Sequence, residues 1–427
     1  MTVLGPEHID LSLYPEGARL DESGRLVIGG CTVNELAERY GTPFYLIDET
    51  ALRAQARRYR QAFSSRHPDS LVLFATKSFP TASVVSAVVG EGCGVDTAAE
   101  GELMLALAAG ADPAKTVFHG NAKTDDDIRA ALQAGVGHIV IDNTDDIDRI
   151  ARLAPEGMRV PVLLRVSPLV TARTHEAMMT GHDASKFGIP SGQVADVIAE
   201  IGRTEQLRLR GLHAHVGSGL VDLDQFSAEV EAIADYGRFP VYDLGGGLGV
   251  RYVSDDTAPE VDEYAERLVS AVHRHLGRDV RLMVEPGRSM VARSGVTVYR
   301  VVTVKHGPRL HAAVDGGMGD NLEVSLYGQP FQPSVIDRSG EAASVDIEGR
   351  HCESGDRLAR DVLTVSPVVG DLVVVPVTGA YCFTMSNNYN ASRRPPVVFC
   401  GEGDSRVVVR RETYRDLFHR DVLMERS

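Results

Sequence analysis

Between Pro43 and Pro286, short β-branched runs alternate with amphipathic stretches, and most of the runs carry a polar or charged residue at or near the C-terminal end. The runs are 43–48, 71–77, 93–98, 116–120, 138–143, 160–167, 209–217, 241–247 and 282–287. Segments such as AAEGELMLALAAG and DDDIRAALQAG separate them, with apolar residues at helical spacing and glycine at the end. Strand–helix alternation of this kind implies right-handed βαβ units around a parallel sheet. Lys77, Asp96, His119, Asn143, Arg165, His215, Gly245 and Glu285 fall at or near the C-terminal ends of their runs. In a (β/α)8 barrel those ends converge on one mouth, whereas an open doubly wound sheet spreads them along a crevice. Nine runs exceed the eight a barrel needs, so PFYLID (43–48) reads as a lead-in strand and the run ending at Lys77 as the first stave.

After Ser289 the texture changes. GVTVYRVVTVKHG, LARDVLTV, GDLVVVPVTGAY, PPVVFCG and SRVVVRRETY are strand-like, with hardly any helical pattern among them. The expected fold is therefore α/β plus all-β. A (β/α)8 barrel spans 37–290, and a β-sandwich or β-barrel domain is built from 291–427, with 1–36 joining it.

Composition narrows the function classes. A net charge of −15 argues against nucleic acid or an anionic membrane surface as partner. It says little about a small anionic substrate, since local basic groups override the global field. Five scattered cysteines form no CxxC pair, so neither a disulfide framework nor a zinc site is expected. The N-terminus has no basic segment followed by an apolar run, and no 18-residue apolar stretch occurs. A cytoplasmic location is the expectation.

The candidate chemistry lies at the strand ends. Lys77 closes LVLFATK; a desolvated lysine there is a Schiff-base nucleophile, and a solvated one is a rim residue. GLHAHVGSG places His213 and His215 on one strand face. They read as a ring that stacks on a cofactor, as an HxH metal pair, or as two satisfied core histidines. Ser218, between Gly217 and Gly219, offers a hydroxyl and backbone N–H groups to an anion. DLGGGLGV brings Gly245, Gly246 and Gly247 into a turn where amides can approach a phosphate, although GxGxxG fails because Val250 stands at its sixth position. VEPGRSM supplies Glu285, Gly287 and Arg288; the carboxylate can pair with a ring N–H and the guanidinium with a phosphate or carboxylate. A structural ion pair is the alternative there. HCESGD (351–356) and TGAYCFTMSNNYN (378–390) carry Cys352, Glu353 and Tyr381 in turns of the β domain.

Taken in order, FATKSFP, GCGVDTAAEGEL, VFHGNAK, THEAMMTGHDASKFGI, HAHVGSG, DLGGGLGV, EPGRSMV, DGGMGDN, HCESGD and TGAYCFTMSNNYN resemble the fold-type III pyridoxal 5′-phosphate (PLP) decarboxylases. The diaminopimelate decarboxylases are the nearest match, and HCESGD with TGAY sets them apart from ornithine decarboxylases. The resemblance implies a barrel of the alanine-racemase type and an activity, release of CO2 from an amino acid, with meso-diaminopimelate to L-lysine in lysine biosynthesis as the first expectation. It implies that Lys77 carries PLP, that His215 stacks on the ring, and that Asp96 supports the lysine side. Ser218, Gly245, Gly246, Gly247, Gly287, Arg288 and Tyr381 hold the phosphate, and Glu285 pairs with the ring nitrogen. Cys352 and Glu353 enter from a second subunit of a homodimer, Cys352 as proton donor and Glu353 toward the substrate's distal amine. Arg288, Glu323, Tyr327, Glu353 and Tyr381 line the substrate, and no metal is expected. One departure stands out. Where these enzymes usually read DNPRPxLY, this chain reads DNLEVSLY (320–327), with Glu323 in place of the arginine that holds the distal carboxylate. Either another cation, Arg288 or Arg173, takes that role, or the substrate is a D-configured basic amino acid or a natural-product precursor.

Overall fold

The computed structural model describes residues 2–167 and 186–422, so Arg173 and most of the block that begins at Thr174 lie outside the described residues. The chain divides into two compact units. One comprises 53–250 and 257–290; the other comprises 1–52, 251–256 and 291–427.

The first unit is a closed parallel barrel of eight strands. We number them β1 (Ser70–Ala75), β2 (Gly94–Thr97), β3 (Thr116–Phe118), β4 (His138–Ile141), β5 (Val160–Ser167), β6 (Leu207–His213), β7 (Val241–Asp243) and β8 (Arg281–Val284). Each pairs in parallel with its sequence neighbours, and β8 pairs with β1 to close the ring. Leu71, Leu73, Val117, Val140, Leu163, Val241 and Met283 form a packed apolar cluster from six of these strands. Burying a side chain of this size stabilises by about 1.5–3 kcal/mol, so the interior is a core and the ligand-competent space lies at its mouth.

The helices between the strands begin and end on local signals. Thr124 and Asp127 form a capping box for helix 125–134, which stops at Gly135 in the left-handed conformation (φ 68°). Glu260 and Glu263 cap helix 261–275 in the same way, and that helix buries Val261, Tyr264, Ala265, Leu268, Val269 and Val272 on one face. Among the described residues no helix is long and apolar enough to cross a membrane.

The second unit contains a ten-stranded mixed sheet. The expected lead-in strand belongs here, not to the barrel: Phe44–Asp48 pairs antiparallel with Gly295–Lys305 and parallel with Val397–Gly401. All five of its residues are buried, and such a run carries no alternation to say which sheet it joins. The division between the units accordingly falls at residues 52 and 53, later than the expected 36 and 37, and Arg251–Asp256 groups with the β unit as well.

Candidate active site

The polar strand ends do converge at the barrel mouth. Lys77 sits in a single turn, Thr76–Ser78, immediately after β1, and its side chain is exposed rather than buried at the strand end. Thr76 Oγ1 donates to the Asp96 carbonyl (2.8 Å), and the Pro286 carbonyl accepts from Ala75 N–H (3.2 Å). A Cβ on Gly287 would sit 3.1 Å from Ala75 Cβ and 3.2 Å from Ser78 Cβ. The turn carrying Lys77 and the turn carrying Arg288 are therefore packed against one another, with Arg288 8% exposed.

The two histidines of HAHVG turn to different partners. His213 ends β6 and directs Nε2 to Glu285 Oε2 (3.3 Å), whereas His215 lies beyond the strand and accepts the Gly246 N–H on Nδ1 (3.3 Å). The segment after His215 lies alongside the glycine turn. Leu220 N–H donates to the Gly247 carbonyl (2.9 Å), Gly249 N–H donates to the Leu220 carbonyl (2.8 Å), and Leu220 and Leu248 form a parallel bridge. Ser218 and Gly245–Gly247 thus share one backbone cradle. Side chains are excluded from it: a Cβ at 245 would meet His215 Nδ1 at 2.7 Å, and Cβ atoms at 246 and 247 would overlap the Glu285 and Gly217 carbonyl oxygens. Gly245 and Gly247 also need left-handed backbone (φ 57° and 116°).

Glu285 is the electrostatic centre. Its Oε1 takes His119 Nε2 at 2.6 Å, its Oε2 takes His213 Nε2 at 3.3 Å, and Asp96 Oδ1 lies 3.6 Å from His119 Nε2. Burial alone would raise the Glu285 carboxyl, but the two histidines outweigh it and hold it well below the carboxylate range. His119 shows the reverse balance: burial disfavours its charge, yet Glu285 and Asp96 raise its pKa above the ordinary value. Burial dominates at His213, which is pushed down to about 4 and stays neutral. Asp96 is pushed up to about 6 by burial and by the Glu285 charge, and the same two causes raise Asp243 well above its ordinary range. Burial, then the Lys77 charge, lowers His215 well below the usual imidazole value. The sequence reading placed His119 at a strand end and His213 in a possible metal pair, and missed that both serve Glu285. The available signal was position alone, since each ends or directly follows a barrel strand.

In the β unit, three motifs are tied together by turn hydrogen bonds. Asp356 accepts from Met318 N–H (2.5 Å) and His351 N–H (2.6 Å), joining DGGMGDN to HCESGD. Asn390 Oδ1 accepts from Cys352 N–H (2.8 Å), and Asn387 N–H donates to the Gly319 carbonyl (3.0 Å), which adds SNNYN. Cys352 and Glu353 are exposed on this turn, while the other four cysteines are buried. Helix 322–327 carries Glu323, which is 1% exposed, and Tyr327, which is half-buried; Ser325 Oγ donates to the Gly355 carbonyl (3.1 Å). Tyr381 lies in a loop with Val377 and itself in the left-handed region (φ 62° each), a conformation that costs roughly 1–3 kcal/mol per residue. The loop is held by Thr378 N–H to the Gly295 carbonyl (3.0 Å), Gly379 N–H to the Ala292 carbonyl (2.9 Å) and Thr297 Oγ1 to Thr378 Oγ1 (2.7 Å).

Residues 49–292 match the pyridoxal-binding domain of the pyridoxal-dependent decarboxylases. The chain belongs to that family. It is 42% identical to the diaminopimelate decarboxylase of Actinosynnema pretiosum subsp. auranticum, over 98% of this chain and 97% of that protein. It is 39% identical to the Bacillus subtilis diaminopimelate decarboxylase, over 95% and 97%. Among solved structures, the diaminopimelate decarboxylase of M. jannaschii in complex with L-lysine superposes with a TM-score of 0.90 at 29% identity, covering 96% of this chain and 98% of that one. The Helicobacter pylori diaminopimelate decarboxylase with L-lysine gives a TM-score of 0.86, also at 29% identity, over 92% and 99%.

Proposed function

We propose that this pyridoxal-dependent decarboxylase acts on meso-diaminopimelate and releases L-lysine and CO2. The observation that carries the reading is Glu285, a buried carboxylate held anionic at the barrel mouth. That is the charge a protonated ring nitrogen requires.

The residues present fit pyridoxal phosphate. Lys77 supplies the amine for covalent attachment, and Asp96 supports it. The crowded glycines 245–247, with Ser218, Gly287, Arg288 and Tyr381, supply backbone N–H groups, hydroxyls and a guanidinium for a phosphate. His215 supplies a flat ring to stack, and the low pKa imposed on it favours the neutral imidazole. Bound there, the cofactor provides the electron sink for the pair left behind when the Cα–carboxylate bond breaks. Arg288, Tyr327 and Tyr381 serve the substrate's carboxylate and hydroxyl-bonding needs, and Glu323 borders its distal end. Cys352 and Glu353 of the partner subunit complete the site in a homodimer, where Cys352 Sγ gives Cα the proton that replaces CO2 and Glu353 accepts from the distal ammonium. Their exposure on one chain supports that assignment. The five free cysteines fit a cytoplasmic setting.

The test has two arms. Borohydride-treated protein should carry a cofactor-sized mass gain on Lys77, and CO2 should be released from meso-diaminopimelate in preference to lysine, ornithine and arginine of either configuration. A protein that loads the cofactor yet ignores meso-diaminopimelate refutes the substrate. A protein without the Lys77 adduct refutes the cofactor site.

A further inference from the structure

We propose that His119 and His213 are positioning residues that act through Glu285, fixing the direction of its carboxylate by one contact to each oxygen. The inference rests on the cofactor reading above and adds two residues to it.

A carboxylate has two oxygens and about four acceptor positions. Here each oxygen takes one imidazole: Oε1 takes His119 Nε2 at 2.6 Å and Oε2 takes His213 Nε2 at 3.3 Å. The two imidazoles leave the carboxylate little freedom to rotate. The imidazoles are themselves fixed. Their rings pack edge to face at 4.8 Å, and they are 6% and 1% exposed. His119 N–H donates to the Thr97 carbonyl (2.7 Å), and His213 sits in register between Arg165 of β5 and Asp243 of β7. Backbone ladders therefore set both ring positions before any ligand arrives.

The charges are complementary. Glu285 and Asp96 raise the pKa of His119 above its ordinary value, and His213 is a neutral donor. The other charged or titratable groups that Glu285 influences include Asp96, Asp243, Glu229, Arg165, His215 and Tyr264, of which Asp96, Asp243 and Glu229 are pushed by burial toward their neutral forms. A carboxylate kept anionic in this way can accept from a protonated ring nitrogen without removing its proton. His213 Nδ1 is buried without a hydrogen-bond partner among the described residues, so the ring spends its single strong contact on Glu285.

The test is a double-mutant cycle on the cofactor-loaded enzyme. His119→Asn and His213→Asn should each lower kcat by roughly 10- to 100-fold, the penalty for a carboxylate displaced by an ångström or so, with KM held within about threefold. In a Glu285→Gln background, adding His119→Asn should change kcat by less than about threefold, because the group it acts on is gone. A second readout is the pH midpoint of the bound cofactor's absorbance, which should move in His119→Asn and stay fixed between Glu285→Gln and the double variant. His119→Gln keeps a neutral N–H donor, so it should restore part of kcat without restoring that midpoint. If His119→Asn fails to fold, His119→Gln carries the same cycle. Multiplicative kcat losses in the double variant, or an unmoved midpoint in both His119 variants, overturn the proposal. Absence of the Lys77 adduct from the unmodified enzyme would instead refute the cofactor reading on which it stands.

Discussion

Gly246→Ala is the sharpest single test of the cradle, because Gly246 does not need a left-handed backbone and only space is at issue. A Cβ there overlaps the carbonyl oxygen of Glu285 and sits 3.5 Å from Pro286 Cα. Ordinary carbon–oxygen contact would require the two segments to part by about 1 Å. Glu285 cannot yield freely, since its N–H donates to the Gly245 carbonyl at 2.7 Å, so the turn and the carboxylate move together. Overpacking of this kind costs about 1–3 kcal/mol in stability. The same shift carries the carboxylate off its 2.6 Å contact with His119 and loosens the Gly246 N–H to His215 bond. A misplacement of about 1 Å at a reacting group costs on the order of 100-fold in rate, so kcat should fall by that factor and cofactor affinity by at least tenfold. Calorimetric unfolding, cofactor titration of the apoprotein and CO2 release measure the three effects. Gly101→Ala is the control: nothing lies within 4 Å of its added Cβ in helix 100–108, and the change should stabilise by about 0.4–1 kcal/mol. A Gly246→Ala enzyme with ordinary cofactor affinity and kcat within twofold would refute the cradle and the coupling to Glu285 together.

Two further outcomes follow from the same geometry. Cys352→Ala should lower kcat by about 100-fold or more while the borohydride-trapped Lys77 adduct persists, since the proton donor stands on the substrate side; loss of the adduct would refute that placement. The stability contributed by two buried histidines should fall in mild acid. Burial holds His213 and His138 down to about 4 in the folded chain, while the unfolded chain protonates both near their ordinary value, so unfolding takes up protons between about 6.5 and 4. The wholly buried His213 alone should lose about 3 kcal/mol across that window. His119 has the opposite sign, its pair with Glu285 being fully present at low pH and lost as pH rises through its raised pKa. A His213→Asn enzyme whose melting temperature depends on pH between 7 and 4.5 just as the unmodified protein's does would contradict the account of His213.

The barrel was legible because its signal is periodic and repeated. Eight parallel strands that each end on, or are directly followed by, a polar residue leave few other folds, and Lys77, Asp96, Glu285 and the glycine turn could be named from position. What escaped was pairing. PFYLID is a fully buried run, and such a run carries no face by which to choose between two sheets. His213 and His215 alternate correctly for one strand face, yet β6 stops at His213, and the two rings answer to different partners 72 and 31 residues away. Lys77 reads as a buried strand end, and it is exposed because β1 stops at Ala75 and a single turn carries the lysine into the mouth.

The candidate residues of the two units are held in different ways. Lys77, the glycine cradle, Arg288 and the Glu285 cluster lie on the barrel unit, where strand register and backbone bonds fix them and their meaning follows from neighbours already in place. Cys352, Glu353 and Tyr381 lie on the β unit in turns set by Asp356, Asn390 and two left-handed residues, and Glu323 lies there in helix 322–327. Register is a global property that a run of residues announces, whereas a turn is fixed by single contacts such as Asp356 to Met318 and His351, thirty-eight and five residues apart. Motif spelling located those turns, and only their three-dimensional contacts explain why HCESGD, DGGMGDN and SNNYN occur together in one chain: each supplies a hydrogen bond that another needs to hold its shape. Glu323 therefore tests the division, because it is buried in a helix whose Ser325 is bonded to Gly355 of the cysteine turn, so a substitution there should disturb the placement of Cys352 before it alters any charge presented to substrate.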